Sequence, residues 1–173
     1  MRNAALPLLS ACVASVLLIA TDAIRSTLLI WNSSESLPLG FYIVQPSNSA
    51  LPGDLVALRL PDALADWADR RSYLGTDALL LKRIAAVAGM TVCRRRDDIT
   101  IEGVFVAKAM STDQIGRRLP QWNGCITLSE GDVFPLVAEV ANSFDGRYFG
   151  SLPSHAIVGR ITPLWTIRTD SDA

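Results

Sequence analysis

The sequence predicts a mainly β domain carried by one N-terminal transmembrane helix. The first observation is an uncharged run, AALPLLSACVASVLLIA, that fills residues 4–20 of the 173-residue chain. The second is a series of short apolar runs separated by turn residues from residue 38 onward, which is typical of β-strands. These observations predict a membrane anchor at 1–31, a β-rich domain at 32–168 and a polar tail at 169–173.

The anchor is predicted from its length and from the charges around it. Its 17 uncharged residues are at the short end of what spans a bilayer, and tilt or the apolar run TLLIW at 27–31 can extend the segment. Arg2 and the α-amino group favour a cytoplasmic N-terminus, which places the rest of the chain outside the cytoplasmic membrane. The alternative is a cleaved signal peptide with Thr21 and Ala23 at the cleavage site, but Asp22 and the long apolar run favour a retained anchor.

The elements of the β domain follow from apolar runs and from the turns between them. FYIVQ and LVALRL flank the turn SALPGD, and ITIEGVFVAK predicts a hairpin that turns at Glu102-Gly103. TDALLLKRIAAVAG, GDVFPLVAEV and AIVGRITPLWTI are the later apolar runs. The one predicted helix is PDALADWADRRS at 61–72, because it starts with Pro and Asp and places Leu, Trp and Ala on one face.

Composition limits the classes of function. The formal net charge is −1 and half of the residues are apolar, so the sequence predicts no nucleic-acid-binding surface. The cluster Arg94-Arg95-Arg96 is followed by two aspartates, which favours a solvated turn. No Gly-rich phosphate loop and no Cys/His spacing typical of a metal site is found, so neither a cofactor nor a metal ion is expected.

Two cysteines, Cys93 and Cys125, lie in the part of the chain that is predicted to be exported. Oxidation is possible there, and a disulfide between them would stabilise the fold by about 3 to 4 kcal/mol in the chain-entropy model. The alternative is a pair of buried free thiols.

A catalytic serine needs a side chain that acts as general base. The single histidine, His155, could serve a serine triad, but a histidine in a turn before a strand is more often structural. A lysine can replace it if burial lowers the lysine pKa toward the working pH. Lys82 lies in the apolar run DALLLKRIAAVAG, whereas Lys108 ends a hairpin strand, so Lys82 is the better candidate. The alternative is that the Lys82 stem packs while its amine reaches water.

The candidate nucleophiles lie in NSSESLPLGFY at 32–42, just after the predicted anchor. Ser, Asn, Pro and Gly are ordinary loop residues, so composition alone favours a polar linker. The order of several motifs favours chemistry. Ser36-Leu37-Pro38 is followed by PGDLV at 52–56, LLKRIAAVAG at 80–89, NSFDGRYFG at 142–150 and IVGRI at 157–161. In this order and spacing, the chain resembles the type I signal peptidase family of membrane-bound Ser/Lys proteases over nearly its whole length.

The resemblance implies a role for each matching residue. Ser36 matches the nucleophile and Lys82 the general base. Ser34 matches a serine whose hydroxyl helps to form the oxyanion hole together with the Ser36 backbone N–H. Ser143 matches a hydroxyl that orients the lysine amine.

Two further residues, Asp145 and Arg147, match an Asp-x-Arg element that supports the site. This chain departs from the family in having Gly146 where serine is commoner, and Ala88-Gly89-Met90 where Pro-Gly-Asp is frequent. Neither departure touches the nucleophile or the base.

Within the family, the compact size, the single anchor, SESLPLGFY and the segment LPQWNGC at 119–125 resemble the conjugative-transfer peptidases that mature a pilin subunit. The resemblance implies a single-pass protein of the bacterial cytoplasmic membrane with its catalytic domain on the periplasmic side. Its partners would be the lipid bilayer and a membrane-embedded pilin precursor, which it cuts and whose new end it could join to the N-terminus. One alternative is a general signal peptidase that hydrolyses preprotein leaders. The other is an inactive scaffold module of a secretion or pilus apparatus.

Overall fold

The computed structural model describes residues 28–75 and 77–167. These residues form eleven strands and two short α-helices. In chain order the strands are β1 (Leu28–Asn32), β2 (Gly40–Pro46), β3 (Leu55–Leu58), β4 (Leu80–Val87), β5 (Thr91–Arg95), β6 (Asp98–Ile101), β7 (Val104–Lys108), β8 (Gly124–Thr127), β9 (Asp132–Pro135), β10 (Leu152–Pro153) and β11 (Ile157–Thr166). The helices are α1 (Asp62–Asp69) and α2 (Gly146–Phe149), and a 3-10 turn covers Ser154–Ala156.

The strands form two antiparallel sheets. The larger one has seven strands in the order β1-β2-β11-β3-β4-β9-β10, and the smaller one has four in the order β7-β6-β5-β8. The predicted mainly β class is therefore confirmed. The predicted transmembrane helix and the polar tail lie outside the described residues. Within the described residues, no helix has the length and apolar character needed to cross a membrane.

The boundary predicted at residue 31 falls inside a strand. Residues 28–31, which the sequence analysis assigned to the anchor, belong to β1, which pairs with β2 from Leu28 opposite Val44 to Asn32 opposite Gly40. The run TLLIW was assigned to the anchor because it is apolar. Its residues 28–31 instead pair with β2 as part of the larger sheet. Residues 33–39 are therefore the connection of a hairpin rather than a linker.

Most of the other predicted elements match the structure. The apolar runs correspond to β2, β3, β4, β9 and β11, and the hairpin of β6 and β7 turns at Glu102-Gly103. Helix α1 is shorter than the predicted range 61–72.

The solvated turn predicted at Arg94-Arg95-Arg96 is wrong for Arg94. This residue lies in β5, where Val92 and Arg94 are buried and Arg95 is exposed, as the alternation of a strand requires. Its guanidinium donates hydrogen bonds to the carbonyls of Arg96 at 3.0 Å and of Arg147 at 2.6 Å. A buried charge is tolerated there because backbone acceptors replace water.

Strand β4 lies at the centre of the core. The described residues contain three clusters of buried apolar side chains, and β4 contributes to each: Leu80 and Ile84 to the first, Ala86 to the second and Leu81 to the third. Because the strand packs on both faces, a polar side chain at one of its fully buried positions is removed from water.

Cys93 and Cys125 lie opposite each other on β5 and β8, and a disulfide joins them. The bond links two strands that are 32 residues apart in sequence. It therefore ties β8, an edge strand, to the interior of the smaller sheet.

We expect Gly159→Ala to destabilise the protein by about 1 to 3 kcal/mol, the usual cost of overpacking a tight interior. Gly159 is in β11 between β2 and β3, and a Cβ atom there would collide with the Gln45 carbonyl oxygen and the Val44 side chain. Urea unfolding measures the loss. The control is Gly75→Ala, where the nearest atom is the Ala78 Cβ at 3.9 Å and little change is expected. Equal midpoints for the two variants would contradict this account of the packing.

Candidate active site

The candidate nucleophile lies in the hairpin connection between β1 and β2. Ser34 is exposed and Ser36 is half-buried, while Leu37 is 6% exposed and packs into the core. The burial of Leu37 fixes one end of the serine stretch, and the hydroxyls beside it remain accessible. The loop therefore presents serine side chains next to a rigid sheet.

The candidate base lies on β4. Lys82 pairs with Val56 of β3, and only 1% of its surface is exposed. Burial lowers the pKa of Lys82 to about 8, because the ammonium loses its hydration. Asp145 raises this pKa and Arg147 lowers it, each by less than burial does. A large share of the amine is therefore neutral near pH 8.

One cavity of about 1120 Å³ connects the two elements. Ser34, Ser36 and Lys82 all line it, together with Phe144 and Tyr148. Strands from different parts of the larger sheet thus bring the loop serines and the buried lysine to the same space, which is open to solvent on one side. A cavity of this size accommodates several residues of an extended peptide.

The predicted Asp-x-Arg element forms a buried ion pair. Asp145 and Arg147 are both 0% exposed, and Arg147 Nε lies 2.8 Å from Asp145 Oδ1. Asp145 also caps α2 by accepting from the Arg147 backbone N–H, and it accepts a second hydrogen bond from the Val137 backbone N–H. The Arg147 guanidinium donates to the carbonyls of Val137 at 2.6 Å and Ala141 at 3.1 Å.

This pair therefore fixes the segment that precedes α2. Phe144 and Tyr148 in this region line the cavity, so the ion pair determines one of its walls.

Ser143 is buried with 1% exposure, and its Oγ has no hydrogen-bond partner among the described residues. An unpaired buried hydroxyl costs about 1 to 3 kcal/mol, so it needs a reason. The role implied for it, orienting the Lys82 amine, stays a prediction, because the hydroxyl makes no hydrogen bond to that amine here.

The other two candidate bases, His155 and Lys108, lie outside the cavity. His155 is exposed in the 3-10 turn before β11, and Lys108 is exposed at the end of β7. Neither lines the cavity. Within the described residues, no group of three or more His, Cys, Asp or Glu side chains is placed to hold a metal ion.

Three residues near the site were not found from the sequence. Asn32 is 4% exposed, and its side chain hydrogen-bonds to the serine loop. Arg94 and Trp122 donate to backbone carbonyls of α2, at Arg147 and Gly146. For Asn32 the available signal was an amide residue just before the serines, whereas Arg94 and Trp122 act through contacts distant in sequence.

Comparison with known proteins gives a family match. A family described as "Signal peptidase, peptidase S26" matches residues 1–165. The conjugal transfer protein TraF of Agrobacterium fabrum is 32% identical over 145 residues, which cover 78% of this chain and 81% of that protein. A plasmid transfer protein TraF of Escherichia coli is 28% identical over 146 residues, with the same shares.

Among solved structures, a signal peptidase I from Enterococcus faecalis is similar with a TM-score of 0.39 and 22% identity. The match covers 66% of this chain and 97% of that one.

We expect Arg147→Met to destabilise the protein by about 3 to 5 kcal/mol, because it leaves Asp145 buried and unpaired. The control is Arg160→Met, which breaks a surface pair with Asp54 at 3.6 Å and costs no more than about 1 kcal/mol. Urea unfolding compares the two variants. Similar losses would mean that the buried pair has no special role in stability.

Proposed function

Because the chain belongs to the signal peptidase family, peptidase S26, we propose that it is a serine endopeptidase in which Ser36 is the nucleophile and Lys82 the general base. One observation carries the proposal: a lysine amine whose pKa is lowered by burial to about 8, so that about half of it is neutral at that pH, shares a cavity with the serine loop. Burying an amine in a core costs free energy, and a role as general base would account for its presence there.

In the proposed mechanism, the neutral Lys82 amine takes the proton of the Ser36 hydroxyl as Oγ attacks the scissile carbonyl. The Ser34 hydroxyl and the Ser36 backbone N–H stabilise the oxyanion, and such a donor is typically worth about 3 to 4 kcal/mol. The tetrahedral intermediate then collapses to an ester on Ser36. The Lys82 ammonium gives its proton to the leaving amine.

The ester has two possible fates. Water can hydrolyse it, with Lys82 as base, which leaves a linear product. The substrate's own N-terminal amine can attack instead and form a new peptide bond, which gives a ring and no net uptake of water. Ring closure requires that the cavity hold the amine near the ester, so that proximity outweighs the concentration of water.

The Asp145–Arg147 pair supports the site in this proposal without taking part in proton transfer. Its opposite charges act on the Lys82 pKa in opposite directions, so burial remains the main cause of the shift. What the pair contributes is a fixed position for the segment that carries Ser143 and Phe144.

The substrate we propose is the pilin precursor of a conjugation apparatus. The support is that curated relatives are named as conjugal and plasmid transfer proteins, while the family as a whole is that of the signal peptidases. A precursor held in the membrane would reach the cavity as an extended segment, and extended segments bind proteins by pairing with strand edges.

We place the protein in the bacterial cytoplasmic membrane with the β domain on the periplasmic side. Trp31, Phe41 and Trp165 form an exposed aromatic cluster, with ring centroids of Trp31 and Phe41 4.9 Å apart and of Trp31 and Trp165 6.4 Å apart. Leu29, two residues before Trp31 and therefore on the same face of β1, is also exposed, at 58%. An apolar surface of this kind, on the strand that follows the uncharged N-terminal run, suits contact with a membrane interface.

The pH dependence of cleavage tests the base. Because only neutral Lys82 can accept the proton, kcat/KM should rise with pH and level off above a midpoint of about 8. Two units below that midpoint the neutral fraction is about 1%, so the rate should be about 100-fold below the plateau. A profile that stays flat between about pH 6 and 9 would exclude Lys82 as the base.

The intact mass of a pilin precursor co-expressed with the full chain tests the reaction itself. We expect cleavage with the wild type and none with Ser36→Ala or Lys82→Met, because each removes one partner of the proton transfer. Lys108→Met is the matched control, since this lysine is exposed and lies away from the cavity.

The product mass then separates the fates of the ester. A product lighter than the cleaved linear form by one water supports ring closure, and the linear form supports hydrolysis. Cleavage that survives in Ser36→Ala would overturn the proposed function.

A further inference from the structure

One buried side chain, that of Asn32, makes four hydrogen bonds to the backbone of the serine loop. The Asn32 amide nitrogen donates to the carbonyl oxygens of Ser34 at 2.9 Å, Leu37 at 2.9 Å and Pro38 at 3.0 Å. Its Oδ1 accepts from the Ser34 backbone N–H at 3.1 Å. The carboxamide thus contacts the backbone on both sides of Ser36.

We propose that Asn32 is a positioning residue for the reaction, whose carboxamide fixes the loop in the form that presents Ser36 to Lys82. The inference rests on the proposed function of these two residues. Asn32 would act through the loop and not on the substrate. Its own position is fixed because it ends β1 and pairs with Gly40 of β2.

The chemistry of the contacts requires an amide. Three carbonyl oxygens surround the amide nitrogen, whose two N–H groups serve them with one hydrogen shared, and the Ser34 N–H needs an acceptor. A carboxamide offers both functions on one short side chain. Aspartate keeps the acceptor but turns an anionic oxygen toward the carbonyls. Alanine offers neither group, so the backbone of the loop would lose its partners inside the protein.

The contacts also assign roles within the candidate oxyanion hole. Because Asn32 Oδ1 occupies the Ser34 backbone N–H, Ser34 has only its hydroxyl to offer a developing oxyanion. The backbone N–H proposed for the oxyanion, that of Ser36, is not the one that Asn32 Oδ1 occupies. Asn32 therefore removes one backbone donor of the loop from the candidate oxyanion hole.

A second buried side chain, that of Tyr42, hydrogen-bonds to the same loop. The Tyr42 hydroxyl, on β2, donates to the Pro38 carbonyl at 2.8 Å. Removing it takes away one of the two donors to that carbonyl and leaves all four Asn32 contacts in place. Tyr42→Phe should therefore have a weaker effect of the same kind.

The test is steady-state kinetics of the full chain in detergent, with a synthetic peptide that spans the cut site found in the co-expressed pilin. We expect Asn32→Ala and Asn32→Asp to lower kcat about 10- to 100-fold, as misplacement of a reacting group by about 1 Å does. KM should change less than about 3-fold, because Asn32 is 4% exposed and its amide is already hydrogen-bonded to the loop backbone. Tyr42→Phe should lower kcat about 3- to 10-fold, because one contact is lost instead of four.

Two controls separate positioning from stability and from the base. Val92→Ala removes buried volume in the smaller sheet, where Val92 is 0% exposed. It should lower the unfolding midpoint and keep the wild-type kcat. The pH midpoint of the Asn32 variants should equal that of the wild type, because the surroundings of Lys82 are unchanged.

A wild-type kcat in Asn32→Asp or Asn32→Ala would overturn the inference, and so would a loss of kcat in Val92→Ala as large as theirs. If the Asn32 variants do not fold, an unchanged kcat in Tyr42→Phe would overturn it. The Ser36→Ala variant separates failure of the Asn32 inference from failure of the proposed function. If Ser36→Ala still cleaves the peptide, the proposed function is wrong.

Discussion

The candidate active site depends on the burial of one amine. Lys82 lies on a strand that contributes to all three clusters of the core, and 1% of its surface is exposed. An ammonium there would have to give up its hydration, so burial lowers the pKa to about 8. The pKa of Lys82 stays low only if the charged groups around the amine have little net charge. The Asp145–Arg147 pair meets the requirement, because its two charges act on the amine in opposite directions.

The rest of the fold brings side chains from separate parts of the chain to the cavity that Lys82 lines. The β1–β2 hairpin supplies the serines, and the segment before α2 supplies Phe144. The smaller sheet contributes from a distance, because Arg94 on β5 and Trp122 before β8 hydrogen-bond to the backbone of α2. The disulfide between β5 and β8 strengthens the sheet from which Arg94 reaches α2. Packing of the two sheets and the geometry of the cavity are therefore linked.

The sequence predicts those elements of the fold that depend on the local pattern of apolar and polar residues. Alternating and continuous apolar runs identified most strands, and the apolar residues around Lys82 made it the better candidate for a general base without deciding whether its amine is buried. Strand β1 was not predicted, because an apolar run after a membrane segment has the same composition whether it pairs with a strand or extends the anchor. Arg94 was not predicted either, since three arginines beside two aspartates are typical of a solvated turn and only tertiary contacts bury the first. The loop contacts of Asn32 depend on the fold in the same way, because the carbonyls that it contacts converge only once the hairpin has formed.

The most direct test of the account is the pKa of the Lys82 amine, measured by NMR of the full chain labelled with ¹³C at the lysine ε carbon. The sequence has two lysines, so a Lys108→Arg variant assigns the signals. The account predicts that Lys82 titrates with a midpoint near 8. A midpoint near the ordinary lysine value of about 10.4 would mean that the amine is hydrated and charged at neutral pH, which would contradict its role as a buried base.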